Sequence, residues 1–463
     1  VDTNPGTPIP RSEIDAAGLR SMAHAALHRV FDARRDPIIV DTRGGAASVL
    51  SSADGLAKAF ELTGQDDRHV AVVVESESLD VGLCWEAWNN LVLGRQRSVV
   101  MVVIGEFRHR PFADLRITYF GPVDDPAVLE SALRHAKSHG GPVVVHLVGG
   151  SPAAPRPLTG RDAVASEWAD VLGGELVAHA ERRIDIVAVT AATAGPTGLG
   201  PFAERFPERM FDVGAGEQHA VTSAAGLALG GTHPVVGLGS TGLSRALDQI
   251  LMDVALLALP VTFVLARSEA APPQRANHHG SRELALLGMV PGLRVGAPRD
   301  GASLRRLVAQ ALTHDVGPTA LRLPEGAVPE EIPVIERIDG VDVVHQPPGE
   351  CAALLVAVGP CVAAAVAAAR LLAARGVVAR VVDPRWVLPV PEALLKLADG
   401  HRLVVTIEDG LAHAGFGAAL SAALRASGID VPVRGLGVPH RLVTDSAIAR
   451  SVLRHLEAGR SAG

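Results

Sequence analysis

Short β-branched runs alternate with longer Ala- and Leu-rich stretches along almost the whole chain. Val70–Val74, Val99–Ile104 and Val143–Leu147 are nearly continuous apolar runs, the pattern of strands buried on both faces. Between them Ser51–Leu62 and Val81–Leu93 are spaced as helices. The rhythm returns at Ile186–Val189, Val235–Gly237 and Val261–Leu265, with helices predicted over Glu217–Leu229 and Gly242–Leu257. It returns once more at Leu354–Val358, Val378–Val382 and Leu403–Ile407. Strands alternating with helices imply βαβ units, so the chain is predicted to be an α/β protein of three parallel-sheet domains.

Two seams divide these blocks. Gly149–Arg161 is rich in Pro, Ser and Gly, and Glu325–Pro348 carries four prolines and several acids. Domains are therefore expected at 1–160, 161–330 and 345–463.

Composition narrows the function classes. Of 463 residues, 48% are hydrophobic and 20% charged, enough apolar material for large cores and too much for a disordered chain. Fifty acids against 43 bases give a net charge of −7, which argues against nucleic acid as a partner. The three cysteines, Cys84, Cys351 and Cys361, form no Cys-x-x-Cys pair, so neither a disulfide framework nor a thiolate zinc site is expected, and a reducing cytoplasm fits. Val1–Arg11 is polar and Pro-rich, without the apolar centre of a leader peptide. The apolar stretch Ile250–Ala266 is broken by Asp253 and Pro260, and Leu354–Ala369 by Gly359 and Pro360, so no membrane span is expected.

Several local patterns could carry chemistry. Gly237-Leu-Gly239-Ser-Thr-Gly242 follows a strand and opens a helix, which suits either a phosphate at a helix N-terminus or an ordinary tight βα turn. Glu217 falls in the first turn of its predicted helix, as a dipole-favoured acid or as a carboxylate that trades a proton with a ring nitrogen. His278 and His279 are adjacent and so point apart, a poor chelate; one of them could still contact a substrate. Arg245, Arg267 and Arg322 sit at predicted element ends, where each could clamp an anion or form a surface ion pair. Glu408-Asp-Gly reads as turn acids after a strand.

At this point the residues resemble a known family. From about Asp185 onward the chain is similar to the C-terminal two-thirds of 1-deoxy-D-xylulose 5-phosphate synthase, within the transketolase superfamily. The stretches that carry this are Phe202-Ala-Glu-Arg-Phe-Pro-Glu-Arg-Met-Phe-Asp212-Val-Gly-Ala-Gly-Glu217-Gln-His-Ala-Val, Ser240-Thr-Gly-Leu-Ser-Arg245-Ala-Leu-Asp248-Gln, His278-His279-Gly280 and Ala320-Leu-Arg322-Leu-Pro-Glu-Gly. Val382-Asp-Pro-Arg385-Trp-Val-Leu-Pro and Val405-Thr-Ile-Glu408-Asp-Gly continue it. The resemblance implies a diphosphate-type, a pyrimidine-type and a C-terminal domain, thiamine diphosphate with Mg²⁺ as cofactor, and a homodimer. It implies catalytic roles for Glu217, His278 and Arg245, with Glu217 facing the aminopyrimidine. Substrate contacts are expected from Arg322, Arg267, Ser240, Gly239 and Gly242.

The first block departs from the family pattern. Glu86-Ala-Trp-Asn-Asn90 places Glu75-Ser76-Glu77 where Gly-Asp-Gly is expected, so Ser76 replaces the metal-binding Asp. Phe107 falls where an Asn ligand is expected, and Gly44-Gly45-Ala46-Ala47 replaces Gly-His-Ser-Ser. The segment with the first active-site His has no evident counterpart. Gly239 and Gly242 stand where the family has aromatic residues, and Ala266 where it has Asp. No metal ligand set is therefore expected, and cofactor binding is expected to be weak or lost. The leading expectation is a repurposed enzyme acting on a small molecule in the retained pocket, in a specialised biosynthetic route. The alternatives are a thiamine-diphosphate-dependent carboligase and a non-catalytic subunit bound to a partner chain.

Overall fold

The computed structural model describes residues 16–40, 46–76, 79, 81–93, 98–105, 117–139, 141–149, 166–266, 280–324, 326–438 and 444–461. Its chain divides into two compact units. One comprises Val1–Pro157 with Gly214–Gly216, the other Leu158–Val213 with Glu217–Gly463.

The first unit is built on a five-stranded, wholly parallel sheet. Its strands are β1 (Ile38–Val40), β2 (Val70–Glu75), β3 (Val99–Ile104), β4 (Thr118–Val123) and β5 (Val143–Leu147), in the order β1-β2-β3-β5-β4. Successive residues of a strand point to opposite faces. Val70, Val72 and Val74 accordingly pack with Leu50 and Trp88 on one side, and Ala71 and Val73 with Leu27 and Leu129 on the other. Both faces are covered by helices, which is why the strand sequences do not alternate.

The second unit holds two sheets. The first of them contains β6 (Ile186–Thr190), β7 (Met210–Asp212), β8 (His233–Gly239), β9 (Thr262–Ala266), β10 (Arg294–Gly296) and β11 (Thr319–Leu323). The rest of the chain supplies β12 (Glu336–Ile338), β13 (Val341–His345), β14 (Ala353–Ala357), β15 (Ala379–Asp383), β16 (Trp386–Leu388), β17 (Leu403–Leu411) and β18 (Val433–Val438). One sheet has the order β16-β10-β11-β9-β8-β6-β7, the other β12-β13-β15-β14-β17-β18.

Several local expectations are corrected here. The three-residue strand β16, from the C-terminal block, crosses over to pair antiparallel with β10. The seam at Glu325–Pro348 contains regular structure, since β12 and β13 form an antiparallel hairpin within it. That hairpin turns on Asp339 and Gly340, both at positive φ (42° and 95°), the conformation a two-residue Asp-Gly turn requires. The helix expected over Gly242–Leu257 is broken into Ser240–Arg245, Leu247–Gln249 and a wider π-type segment Ile250–Ala255.

One apolar core runs continuously from the β8–β9 face, through Val236, Leu238, Phe263 and Leu265, to Leu354, Val356 and Val404 of the neighbouring sheet. Arg299 pins the two sheets electrostatically. It is 1% exposed and donates from Nη1 to Asp342 Oδ2 at 2.9 Å and to Asp383 Oδ2 at 2.6 Å. Burial pushes the Asp383 carboxyl up to about 6, against the pull of Arg299. Among the described residues no helix is long and apolar enough to cross a membrane.

Candidate active site

Ligands of open α/β sheets settle beyond the carboxyl ends of the strands, where the strand order reverses. In the second unit the chain leaves β6 towards β7 on one side and towards β8, β9 and β11 on the other. The reversal therefore falls between the carboxyl ends of β6 and β8. Thr193 lies there, its hydroxyl donating to the Gly237 carbonyl at 3.0 Å. Asp212, at the end of β7, accepts from the Ala192 backbone N–H at 3.1 Å and supports Ala192 at φ 55°.

Glu217 opens the helix Glu217–Leu229, and Arg245 ends the helix Ser240–Arg245. Arg245 Nη1 donates to Glu217 Oε1 at 2.7 Å, with the carboxylate side chain 13% exposed and the guanidinium 31%. Gly242 lies flush against this pair. A Cβ there would stand 3.0 Å from Glu217 Cγ and 3.5 Å from Oε1. At Gly239 the space is open, with Thr193 Cγ2 at 4.0 Å as the nearest contact of an added Cβ. Gly237 is a packing glycine, since a Cβ would fall 2.5 Å from Thr197 Oγ1.

A second group of charges lies beside it. Ser240 Oγ donates to Glu283 Oε1 at 2.5 Å. Arg322, in β11, donates from Nε to Glu283 Oε2 at 2.9 Å and from both terminal nitrogens to Asp409 Oδ1 at 3.3 Å. Glu283 and Arg322 are almost fully buried, at 2% and 3% exposure. Burial alone would favour loss of the guanidinium proton. Asp409 and Glu283 outweigh it and hold the pKa of Arg322 above its ordinary value.

Glu408 is not the turn acid its sequence suggested. It lies within the extended strand β17, fully buried, and accepts from the backbone N–H groups of Phe416 and Gly417 at 2.9 and 2.8 Å. Burial raises its carboxyl pKa, and those two N–H groups oppose the rise.

The structure thus brings Glu217, Arg245, Gly242, Ser240 and Arg322 to the carboxyl ends of one sheet, with Gly239 at the end of β8. Arg267 and His278 lie outside the described residues, as do Phe107, Glu77 and His279. Sequence reasoning did not single out Glu283, which binds two of the candidate residues at once, or Asp409 as the partner of Arg322. No spacing marks either pairing, because the partners lie 39 to 87 residues away.

In the first unit Ser76 follows β2 directly, its Oγ 3.0 Å from where a Cβ on Gly105 would stand. Glu75 is ion-paired with Arg20 of the helix Ala16–Val30.

Residues 165–331 match the transketolase pyrimidine binding domain, and residues 343–456 the transketolase C-terminal domain. Residues 42–107 match the 1-deoxy-D-xylulose-5-phosphate synthase model. The 1-deoxy-D-xylulose-5-phosphate synthase of Rhodococcus jostii (strain RHA1) is 44% identical over 560 aligned residues, covering 94% of this chain and 86% of the relative. The chain belongs to the 1-deoxy-D-xylulose-5-phosphate synthase family. The synthase of Nocardia farcinica is likewise 44% identical, over 93% of this chain and 89% of its own. An alignment of 560 positions exceeds the 463 residues available, so at least 97 of its positions are interior residues of the relative without a counterpart in this chain.

Among solved structures, one titled "Split gene transketolase, inactive beta4 tetramer" is 28% identical with a TM-score of 0.56. It covers 63% of this chain and 98% of its own. Transketolase from Campylobacter jejuni shares the fold, with a TM-score of 0.54 over 89% of this chain and 81% of its own, at 14% identity.

Proposed function

We propose that this family member acts on a small molecule at the carboxyl ends of β6, β8 and β11 without the Mg²⁺-thiamine diphosphate that the resemblance implies. The observation that carries this reading is the pair of glycines at 239 and 242, with open space at Gly239 and Gly242 flush against Glu217. The cofactor would need the Glu217 carboxylate for its aminopyrimidine ring. Oε1 is held by the Arg245 guanidinium, which leaves Oε2 for a ring nitrogen. Gly239 and Gly242 offer no ring to stack on an aminopyrimidine, and stacking is where aromatic residues contribute most to such binding. In the first unit, Ser76 offers a neutral hydroxyl where Mg²⁺ would be served by a carboxylate. The described residues do not fit the group.

What remains is a polar cluster with its own chemistry. Arg245 can leave Glu217 for an anionic substrate group, and the freed carboxylate can then accept a proton from that substrate. The open space at Gly239 leaves room for the substrate body.

Calorimetric titration of the full chain with thiamine diphosphate, with and without Mg²⁺, tests the reading. No binding at millimolar cofactor is the expected result. Micromolar, metal-dependent binding would overturn it and make the chain a cofactor-dependent carboligase like its relatives.

A further inference from the structure

We propose that His24 and His28 form a two-histidine site for a divalent transition-metal ion of the zinc, nickel or copper class. Both belong to the helix Ala16–Val30, which is anchored to the first unit by buried Leu19, Ala23, Ala26 and Leu27. His24 and His28 are exposed and one helical turn apart. Their rings meet edge to face, with centroids 4.4 Å apart, and their Nε2 atoms are 3.2 Å apart. Without metal, one Nε2–H donates to the lone pair of the other, so the two nitrogens face one another; ligation requires the donor ring to carry its proton on Nδ1 instead, which frees both Nε2 lone pairs for the ion.

That separation is the bite of a chelate. With metal–nitrogen bonds of about 2.1 Å, donors 3.2 Å apart subtend roughly 100° at the metal, between the octahedral and tetrahedral angles. Neutral imidazole is a favoured ligand for zinc, nickel and copper ions, and carboxylate-preferring Mg²⁺ and Ca²⁺ are poorly served by it. The cations nearest in sequence do not oppose binding, because Arg20 is ion-paired with Glu75 and Arg29 with Glu130. The buried face of the helix fixes the backbone, so little order must be imposed when the ion arrives. Two protein ligands leave the other coordination positions to water, and such an ion would exchange freely.

Spacing alone does not create this site. His135 and His139 are also one turn apart, on the helix Pro126–His139. There, His135 Nδ1 is bonded to the Ser131 carbonyl at 2.8 Å, and His139 Nε2 to the Thr118 hydroxyl at 2.8 Å. Those rings are held by other partners and do not converge on one another.

The test is calorimetric titration of the full chain with zinc chloride and, separately, nickel chloride. Wild type is compared with His24→Gln, His28→Gln and the control His135→Gln. All three substituted side chains are exposed, and unchanged thermal unfolding in metal-free buffer verifies that each variant folds. The expected result is one equivalent of metal whose affinity falls at least about tenfold in His24→Gln and in His28→Gln and is unchanged in His135→Gln. Equal affinities in all four proteins would overturn the proposal, as would an equal loss in the control.

Discussion

Arg245 Nη1 reaches Glu217 Oε1 at 2.7 Å, and a Cβ at position 242 would stand 3.0 Å from Glu217 Cγ, so any side chain there pushes on the pair. Gly242→Phe therefore forces Glu217 to another rotamer and breaks the pair. Overpacking of this kind costs about 1–3 kcal/mol, partly offset by the better helix propensity of Phe over Gly. The expected outcome is a modest fall in the unfolding midpoint, with loss of any ligand binding that depends on Arg245. A parallel Glu217→Gln variant separates the two effects. The pair is partly buried and Gln keeps the shape of the side chain, so a loss of ligand binding much larger than the loss of stability reports chemistry rather than folding. If Gly242→Phe binds thiamine diphosphate where wild type does not, the missing aromatic shelf is the feature that shut the cofactor out.

Arg322 joins two carboxylates from different parts of the chain, Glu283 at 2.9 Å and Asp409 at 3.3 Å. Arg322→Ala would leave Glu283, 2% exposed, without its guanidinium. Removing one partner of a buried ion pair costs about 3–5 kcal/mol. Chemical denaturation should show a loss of that order. Arg322→Lys should recover little of it, because an ammonium cannot hold both carboxylates in the planar, forked arrangement of a guanidinium. Full recovery by lysine would mean that charge alone matters at this position.

The general plan was legible because strands buried on both faces leave unbroken apolar runs: Val70–Val74 and Val99–Ile104 could hardly be anything else. Glu217 and Arg245 stood out as chemistry-bearing residues. Their mutual pairing did not, since residues 28 apart are brought together by the sheet and no local period encodes that. Trp386–Leu388 escaped notice for the opposite reason. Three residues are too few to show a period, and their partner strand β10 precedes them by some ninety residues. Glu408 was misread because a Glu-Asp-Gly triplet resembles a turn. Only the fold reveals that two backbone N–H groups wait for that carboxylate. The Asp339–Gly340 hairpin did carry a local signal, hidden in a stretch whose prolines marked a seam between blocks.

His233 gives the fold a pH dependence of known sign. It is 4% exposed, and its Nε2 faces the Thr262 hydroxyl at 2.9 Å. Burial, helped by Arg183, lowers its pKa from 6.5 to about 4. As the pH falls below 6.5 the unfolded chain takes up a proton there and the native one does not. The contribution of neutral His233 is therefore complete above about pH 6.5 and is lost as the pH falls towards 4, by on the order of 3 kcal/mol. Asp383 and Glu408, whose pKa values are raised by burial, work in the opposite direction over the same acidic range. The difference between wild type and His233→Gln isolates the histidine. Denaturation free energies measured from pH 7.5 to 4.5 should fall more steeply for wild type. Parallel curves would show that His233 titrates alike in both states.

Gly415 precedes the helix Phe416–Ala426 with φ −90° and ψ −153°, a backbone conformation open to any residue. Backbone freedom is therefore not what calls for glycine here. A Cβ at this position would lie 2.0 Å from Glu408 Oε2 and 2.8 Å from the Leu411 carbonyl. Glu408 cannot step aside cheaply, because it is fully buried and both oxygens are held by backbone N–H groups at the helix start. Moving it would strand a buried carboxylate and two amide donors together, a cost of several kcal/mol by the usual penalties for unsatisfied buried groups. Gly415→Ala is expected to lower the unfolding midpoint sharply. Gly428→Ala, at φ 73° with open space around its added Cβ, should cost only the smaller strain of a left-handed backbone, about 1 kcal/mol. If the two variants proved equally mild, the carboxylate of Glu408 would be free to move, and its role as the staple between β17 and the following helix would fail with it.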